Sequence, residues 1–318
     1  MQAGLSDDAS RPLLVFVGAA TFDALALVER YPDPDERVVA SDIRFAGGGP
    51  SATAAVAAAR LGHNVAFIGA VGADDAGDEI IAGLQREGVN TEAVLRLDGV
   101  ESGASVVVIT RAAASRAISN RPLPRADLTS HAAARELLSA SAWVHTDHIG
   151  WEPTIRTLGE LEMLPRTSFD GGHLVEGFTA EGLDLYVPTI ETLARRIGHL
   201  SQVELLEQAA AESGGAVVAT QGADGAWALS PGETVQQVPG FQVDVLSTLG
   251  AGDVFHGALL AQIVEGRPLL EAVSRANAVA ALSTRALDGR SGIPTRSELE
   301  AFLSSDRSPS VPDFQESR

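Results

Sequence analysis

The stretch Ser247-Thr-Leu-Gly-Ala-Gly-Asp-Val-Phe-His-Gly257 passes from turn-rich sequence into an apolar helical pattern. The small residues Gly250, Ala251 and Gly252 let the backbone turn tightly and leave successive N–H groups uncovered where the helix begins. Those amides and the positive end of the helix dipole converge on one point. The result is an anion cradle, suited to charge developing on a transferring phosphoryl group. Asp253 follows at once. A carboxylate there can simply cap a helix, but beside an anion cradle it also fits the task of taking a proton from an attacking hydroxyl. A capped helix after a glycine turn and a catalytic carboxylate both remain open on these residues alone.

Working outward, a second segment has a similar build. Phe45-Ala-Gly-Gly-Gly-Pro-Ser-Ala-Thr53 runs into AAVAAARLG. Its glycines allow close approach of backbone to a ligand, Pro50 suits the first helical position, and Gly62 suits the stop. The alternative is a plain strand-to-helix junction. Neither segment has the spacing G-x-G-x-x-G, so a dinucleotide fingerprint is not supported.

Between and around these segments, short β-rich runs alternate with Ala-rich helical stretches, which predicts an α/β fold with a mainly parallel sheet. Strands are expected at Leu13–Gly18, Val65–Val71, Ala142–Thr146, Thr167–Phe169, Leu183–Val187 and Ala216–Thr220. Helices are expected near Pro50–Leu61, Ala76–Glu87, His131–Ala140, Gln202–Glu212, Gly252–Glu265 and Leu269–Leu287. Four further strand-like runs, Phe22–Val28, Arg37–Phe45, Ser102–Thr110 and Ser115–Asn120, are joined by turns rather than helices, the last two across Arg111–Ala114. They predict a small antiparallel sheet formed by about 22–45 and 102–120, acting as a lid, a dimer surface or both. The expected organisation is a single domain over 13–303, flanked by disordered segments at 1–12 and 304–318.

Composition narrows the chemistry. The 318 residues include 23 Arg and no Lys, which removes Schiff-base catalysis and the lysine-dependent phosphate loop. With no Cys, thiolate nucleophiles, disulfides and iron–sulfur clusters are excluded. A net charge of −19 opposes binding to nucleic acid or anionic membrane. No apolar run approaches the ~20 residues a membrane span needs. The opening MQAGLSDDASRP is unlike a signal or transit peptide, so a cytoplasmic protein is expected.

Together, the glycine-rich helix start near residue 50 and the GAGDVF helix start near residue 250 resemble the ribokinase-like (PfkB) carbohydrate kinases over about residues 13–303. GGGPSATAAVAAARLG, GAGDVFHGAL and Gly289-Arg-Ser-Gly-Ile-Pro294 look most like the sulfofructose kinase-like branch. The resemblance implies a Rossmann-like three-layer body with a β lid that often forms a homodimer, and transfer of the ATP γ-phosphate to a sugar primary hydroxyl with Mg²⁺. By position it implies Asp253 as general base and the amides of Gly250, Ala251, Gly252 and Asp253 as anion hole. It assigns Asp23, Gly48, Gly49 and Thr53 to the sugar, and Arg37 and Asn120 to an anionic substituent. Thr220, Gly222 and Gly225 would lie beside the nucleotide, with Asn277 on the helix flanking the adenine. Where the family has N-x-x-E this chain reads Pro188-Thr-Ile-Glu-Thr192, leaving Glu191 as the carboxylate that could act on Mg²⁺ through water. Ser247 replaces the family's acidic residue, so a monovalent cation site stays open.

Three features outside the resemblance have simpler readings. His145-Thr-Asp-His148 suggests a metal, but on a strand 145 and 147 share a face and 148 points away, so a polar strand end lining the cleft is expected. Asp74-Asp75 reads as a helix cap, and His256 as a buried, hydrogen-bonded histidine. The expected activity is therefore ATP-dependent phosphorylation of a ketose or ketose derivative. The alternatives are a nucleoside or vitamin-type kinase of the same fold, which the scarcity of aromatics disfavours, and a non-catalytic sugar or nucleotide sensor.

Overall fold

The computed structural model describes residues 11–305 apart from 112–114, 126 and 129. The expectations for the two terminal segments and for the turn at 112–114 lie largely or wholly outside these residues. Strand β1 (Leu13–Val17) is apolar on both sides: Leu14 and Phe16 face one way, Val15 and Val17 the other, and all are buried. Such a strand requires cover on both faces. In the main sheet β1 is flanked by β4 (Asn64–Ile68) on one side and β9 (Trp143–Thr146) on the other. Beyond β9 follow β10 (Arg166–Gly171), β11 (Leu185–Pro188) and β12 (Ala216–Thr220), all parallel. Two antiparallel strands, β13 (Ala226–Leu229) and β14 (Gln236–Val238), complete the edge.

One face carries α1 (Pro50–Arg60), α2 (Asp75–Arg86), α7 (Ala251–Val264), α8 (Leu269–Ser283) and α9 (Arg296–Leu303), packed on Phe16, Phe67, Val187 and Val218. The other carries α3 (Ala132–Ala140) and α4 (Trp151–Leu158) over Val15, Val17 and Val144. Beside them α5 (Ile190–Ile197) and α6 (Gln202–Ser213) cover Phe169, Tyr186 and Val217. The body is the three-layer α/β arrangement expected from sequence. The single strand expected over 65–71 is split, because Ala70–Gly72 (β5) leaves the main sheet and pairs with β6 (Leu95–Leu97). Helices α4, α5 and α9, eight residues each, were not anticipated.

The lid is a second sheet of β2 (Thr21–Val28), β3 (Asp42–Gly48), β7 (Ser105–Thr110) and β8 (Ser115–Asn120), in the order β3-β2-β7-β8. Two expectations need correcting. The sheet is mixed: β7 lies parallel to β2, because the chain leaves β3 for the body and returns on the far side of β2. Arg37 is not on a strand, since β3 begins only at Asp42. Pro32 and Pro34 interrupt the preceding stretch, and Glu36 accepts from Arg30 Nη1 and the Asp33 N–H at 2.7 and 2.8 Å, holding a local turn away from the sheet. Leu25, Leu27, Val107 and Ile109 bury the inner lid face against Leu246, Leu249 and Leu287 of the body.

Candidate active site

The two glycine-rich segments are far apart in sequence and meet because α1 and α7 pack together. At their contact a Cβ on Gly257 would sit 1.9 Å from the Ala54 carbonyl oxygen, so this approach requires glycine. Both helix starts then border one open cleft, lined by Asp23, Gly48, Gly49 and Thr53 from the first segment and lid and by Gly250 and Asp253 from the second.

Gly250 adopts φ 74°, and a side chain there would press on the Gly289 Cα at 2.9 Å. The chain can therefore turn sharply into α7 only with glycine at this position. Of the expected anion hole, the Ala251 N–H points back to the Thr248 carbonyl at 3.4 Å. The Gly252 and Asp253 N–H groups meet no acceptor among the described residues, and Gly252 is exposed. Two bare amides thus stand at the positive end of a 14-residue helix.

Burial, reinforced by the negative charges of Asp170 and Asp147, pushes the Asp253 carboxyl up to about 7. A carboxylate with that affinity is matched to accepting a proton near neutral pH. His256, on the same helix, places Nε2 3.2 Å from Asp170 Oδ1. Burial opposes charge on His256, but Asp170, with Asp253 and Asp147 behind it, raises the imidazole above its ordinary value. His145, wholly buried beneath, is pushed down to about 3 by burial and by the charge on His256; its Nδ1 lies 3.0 Å from Ser168 Oγ. Arg116 reaches from the lid to donate from Nη1 to Thr248 Oγ1 at 2.7 Å, bringing a cation to the edge of the cradle.

Asp147 holds the strand ends in place. Its Oδ2 accepts from the Ala19 and Ser51 N–H groups at 2.8 and 3.1 Å, and Oδ1 from Ile149 and Gly150 at 2.9 and 3.0 Å. It thereby ties the end of β1 to the start of α1 and to the turn after β9, where the order of the main sheet reverses. Ligands in open α/β sheets bind outside the carboxyl ends of the strands at such a reversal.

On the acceptor side, Asp23 is buried. Thr21 Oγ1 donates to its Oδ2 at 3.0 Å, while Oδ1 is buried without a partner. Burial raises its proton affinity, and neighbouring Ser105 and Thr21 only partly oppose this. An orphaned acceptor beside the cleft suits a ligand hydroxyl. Arg290 lies beneath the glycine turn, donating to the Gly48 carbonyl at 2.7 Å and to Thr53 Oγ1 at 3.2 Å, and burial pushes it down to about 10. Asn120 is exposed, in register with Ser105 beside Asp23, but outside the cleft lining. Arg37 is exposed on the loop after β2 and also outside it.

Thr220, Gly222 and Gly225 lie at the carboxyl end of β12, on the same edge as Asp147 and Asp170. They form a separate stretch of that edge and do not line the cleft. Asn277 is buried on α8, its Nδ2 donating to the Val238 and Pro239 carbonyls at 3.1 Å each; it secures the loop after β14. Glu191 is exposed and 3.9 Å from Arg195. Ser247 spends its hydroxyl on the Leu249 N–H at 3.2 Å. No cluster of three or more His, Cys, Asp or Glu able to hold a metal occurs among the described residues. Sequence reasoning missed Arg116 and Asp170, which sit in unremarkable stretches. Arg290 was within reach, inside the quoted Gly289–Pro294.

A helix start with bare amides, a carboxyl of raised proton affinity and an orphaned carboxylate oxygen thus lie at or beside one cleft. The family model "pfkB family carbohydrate kinase" matches residues 11–150 and 179–296, and the chain belongs to that family. It is 28% identical over 292 residues to ribokinase of Bacillus subtilis (91% of this chain, 98% of that protein). It is 27% identical to a fructokinase of Vibrio alginolyticus (87% and 96%). The crystal structure of ribokinase from Thermotoga maritima superposes with a TM-score of 0.80 at 25% identity, covering 93% of this chain and 100% of that one. The protein is an ATP-dependent carbohydrate kinase of the ribokinase family.

Proposed function

We propose that the protein transfers the γ-phosphate of ATP, with Mg²⁺, to the primary hydroxyl of a ketose or ketose derivative. The observation that carries this reading is that Asp253 and the orphaned Asp23 oxygen border one cleft, with the bare Gly252 and Asp253 amides at the adjoining start of α7. Asp23 and the backbone at Gly48 and Gly49 would orient the sugar. Asp253 removes the hydroxyl proton as that oxygen attacks the γ-phosphorus, and ADP departs with the electron pair of the broken P–O bond. The two amides stabilise charge on the transferring group. Mg²⁺, when bound, neutralises the nucleotide phosphates. Because such transition states are loose, positioning and electrostatics contribute more than the base itself.

The sulfofructose kinase-like motifs favour an acceptor with an anionic end, for which Arg37 and Asn120 are the proposed contacts. Few aromatics border the cleft, which disfavours stacking of a nucleobase. The test is an acceptor panel with ATP and Mg²⁺ containing neutral and anionic ketoses, ribose and nucleosides, read by ADP formation. Turnover confined to nucleosides, or none at all, contradicts the reading. If an anionic ketose is used, Arg37→Ala raises its KM; an unchanged KM removes Arg37 from the site.

The outer lid face supports a homodimer. Ile43, Phe45 and Val106 are 64%, 68% and 56% exposed, and Phe45 stacks on Phe22 at 6.1 Å. A contiguous apolar sheet face of this kind suits a second copy. Sedimentation should give twice the chain mass, and a monomer at micromolar concentration contradicts the pairing.

A further inference from the structure

His256 lies one helical turn beyond Asp253 on α7, with Asp170 of β10 against it, and the chemistry of phosphoryl transfer as described above gives them no task. His256 follows Asp253 by three positions on α7, and such neighbours share a helix face. Its Nε2 lies 3.2 Å from Asp170 Oδ1, and both side chains are 7–8% exposed. Asp170 also accepts the Gly172 N–H at 2.8 Å, which fixes its carboxylate at the end of β10. The other ring nitrogen, Nδ1, is buried and has no partner. A buried, half-satisfied imidazole is costly in a purely structural position.

We propose that His256 and Asp170 are positioning residues: a buried charge pair that sets the proton affinity of Asp253 and so the pH range in which the kinase works. The proposal rests on Asp253 acting as the base.

The surroundings fix the sign of each contribution. Asp253 is faced by Asp170 from β10, Asp147 from the turn after β9, His256 from its own helix and Arg116 from the lid. His256 is faced by Asp170, Asp253 and Asp147, and by the ring of His145 at 5.1 Å. His145 is held neutral by burial and by the charge on His256. The proton of the buried cluster therefore resides on His256 while Asp170 stays ionised, burial notwithstanding. Asp170 makes ionisation of Asp253 harder and His256 makes it easier. Removing His256 leaves the Asp170 charge uncompensated and must raise Asp253, whereas removing Asp170 also takes away the partner that keeps the proton on His256, so both charges vanish together and Asp253 moves little. A scaffold role would produce no such asymmetry.

The experiment is the pH profile of kcat/KM for wild type, His256→Asn and Asp170→Asn, with ATP, Mg²⁺ and the best acceptor. In parallel, the Asp253 carboxyl is titrated by ¹³C NMR in each protein without acceptor. His256→Asn should move the acid limb up by about one pH unit, so that activity falls roughly tenfold on that limb and recovers well above pH 8. Asp170→Asn, which discharges His256 as well, should leave the limb close to its wild-type place. The carboxyl titration should follow the same pattern. A limb and titration that stay in place in His256→Asn, or that move equally in both variants, overturn the proposal. His256→Gln provides a second probe should the Asn variant not fold. If the Asp253 titration responds as stated while no acceptor is phosphorylated, the proton-affinity assignment stands and the kinase reading fails.

Discussion

Arg116 is the residue whose importance the sequence hid most completely. It stands on a strand of serine, alanine and isoleucine, with nothing local to distinguish it from a solvated surface charge. Only the pairing of β8 with β7 places it on the inner lid face, with its guanidinium on Thr248. In a chain without lysine, an arginine is the side chain that can bring full positive charge to a phosphate near the cradle. Arg116→Ala is expected to lower kcat by about 10²-fold, comparable to losing one preorganised donor. ADP affinity should change little, which nucleotide calorimetry beside steady-state kinetics would check. Asp253, by contrast, was legible beforehand because it adjoins a glycine-marked turn, and Asp23 through the family resemblance; both line the cleft.

At the level of elements, the glycine and alanine pattern of α1 and α7 carried most of the information. The run AAVAAAR permits an unusually close helix contact, and Gly257 receives the Ala54 carbonyl in a space too small for a methyl group. Gly257→Ala should therefore destabilise the protein by about 1–3 kcal/mol despite alanine's better helix propensity. Activity should fall with it, because the same contact aligns the two helix starts. Denaturant unfolding and kinetics on one preparation would show both, and a stabilised, fully active variant would contradict this packing. The lid was harder to read. Period-two patterning marks strands but not their neighbours, so the parallel β2–β7 pairing, which depends on the path of the chain through the body, was invisible. Short strands such as β14 and the amphipathic turns of α5 carry too few residues to declare a period.

Across the whole molecule, the order of strands in the main sheet and the buried Asp147 decide where the site lies, and the site is held in a state that weakens the fold. Asp253 ionises with difficulty in the folded protein, its value raised from 3.8 to about 7 by burial first and by Asp170 second. Well below 3.8 both folded and unfolded chains carry it neutral, so there is no penalty. As pH rises from about 3 towards 7 the unfolded chain ionises first, and folding loses stability progressively. Well above 7 the loss is constant. Asp253→Asn, which cannot ionise, should thus have a higher Tm than wild type at pH 8, a gap that closes towards about pH 3. A Tm gap independent of pH would show that the carboxylate is not held in this way. The overall α/β alternation, and with it the body of the fold, was readable because parallel strands buried on both faces leave continuous apolar runs. The buried polar network beneath Asp253 was not, since His145, Asp170 and His256 come from three separate elements that only the folded sheet brings together.

The measurement that bears most directly on the catalytic role of Asp253 is ADP release by Asp253→Asn with a working sugar acceptor, alongside its affinity for ATP. Turnover should fall by roughly 10²–10⁴-fold with ATP binding nearly unchanged. Near-normal turnover would mean that this carboxylate takes no proton from the acceptor, and the catalytic role assigned to the start of α7 would be wrong.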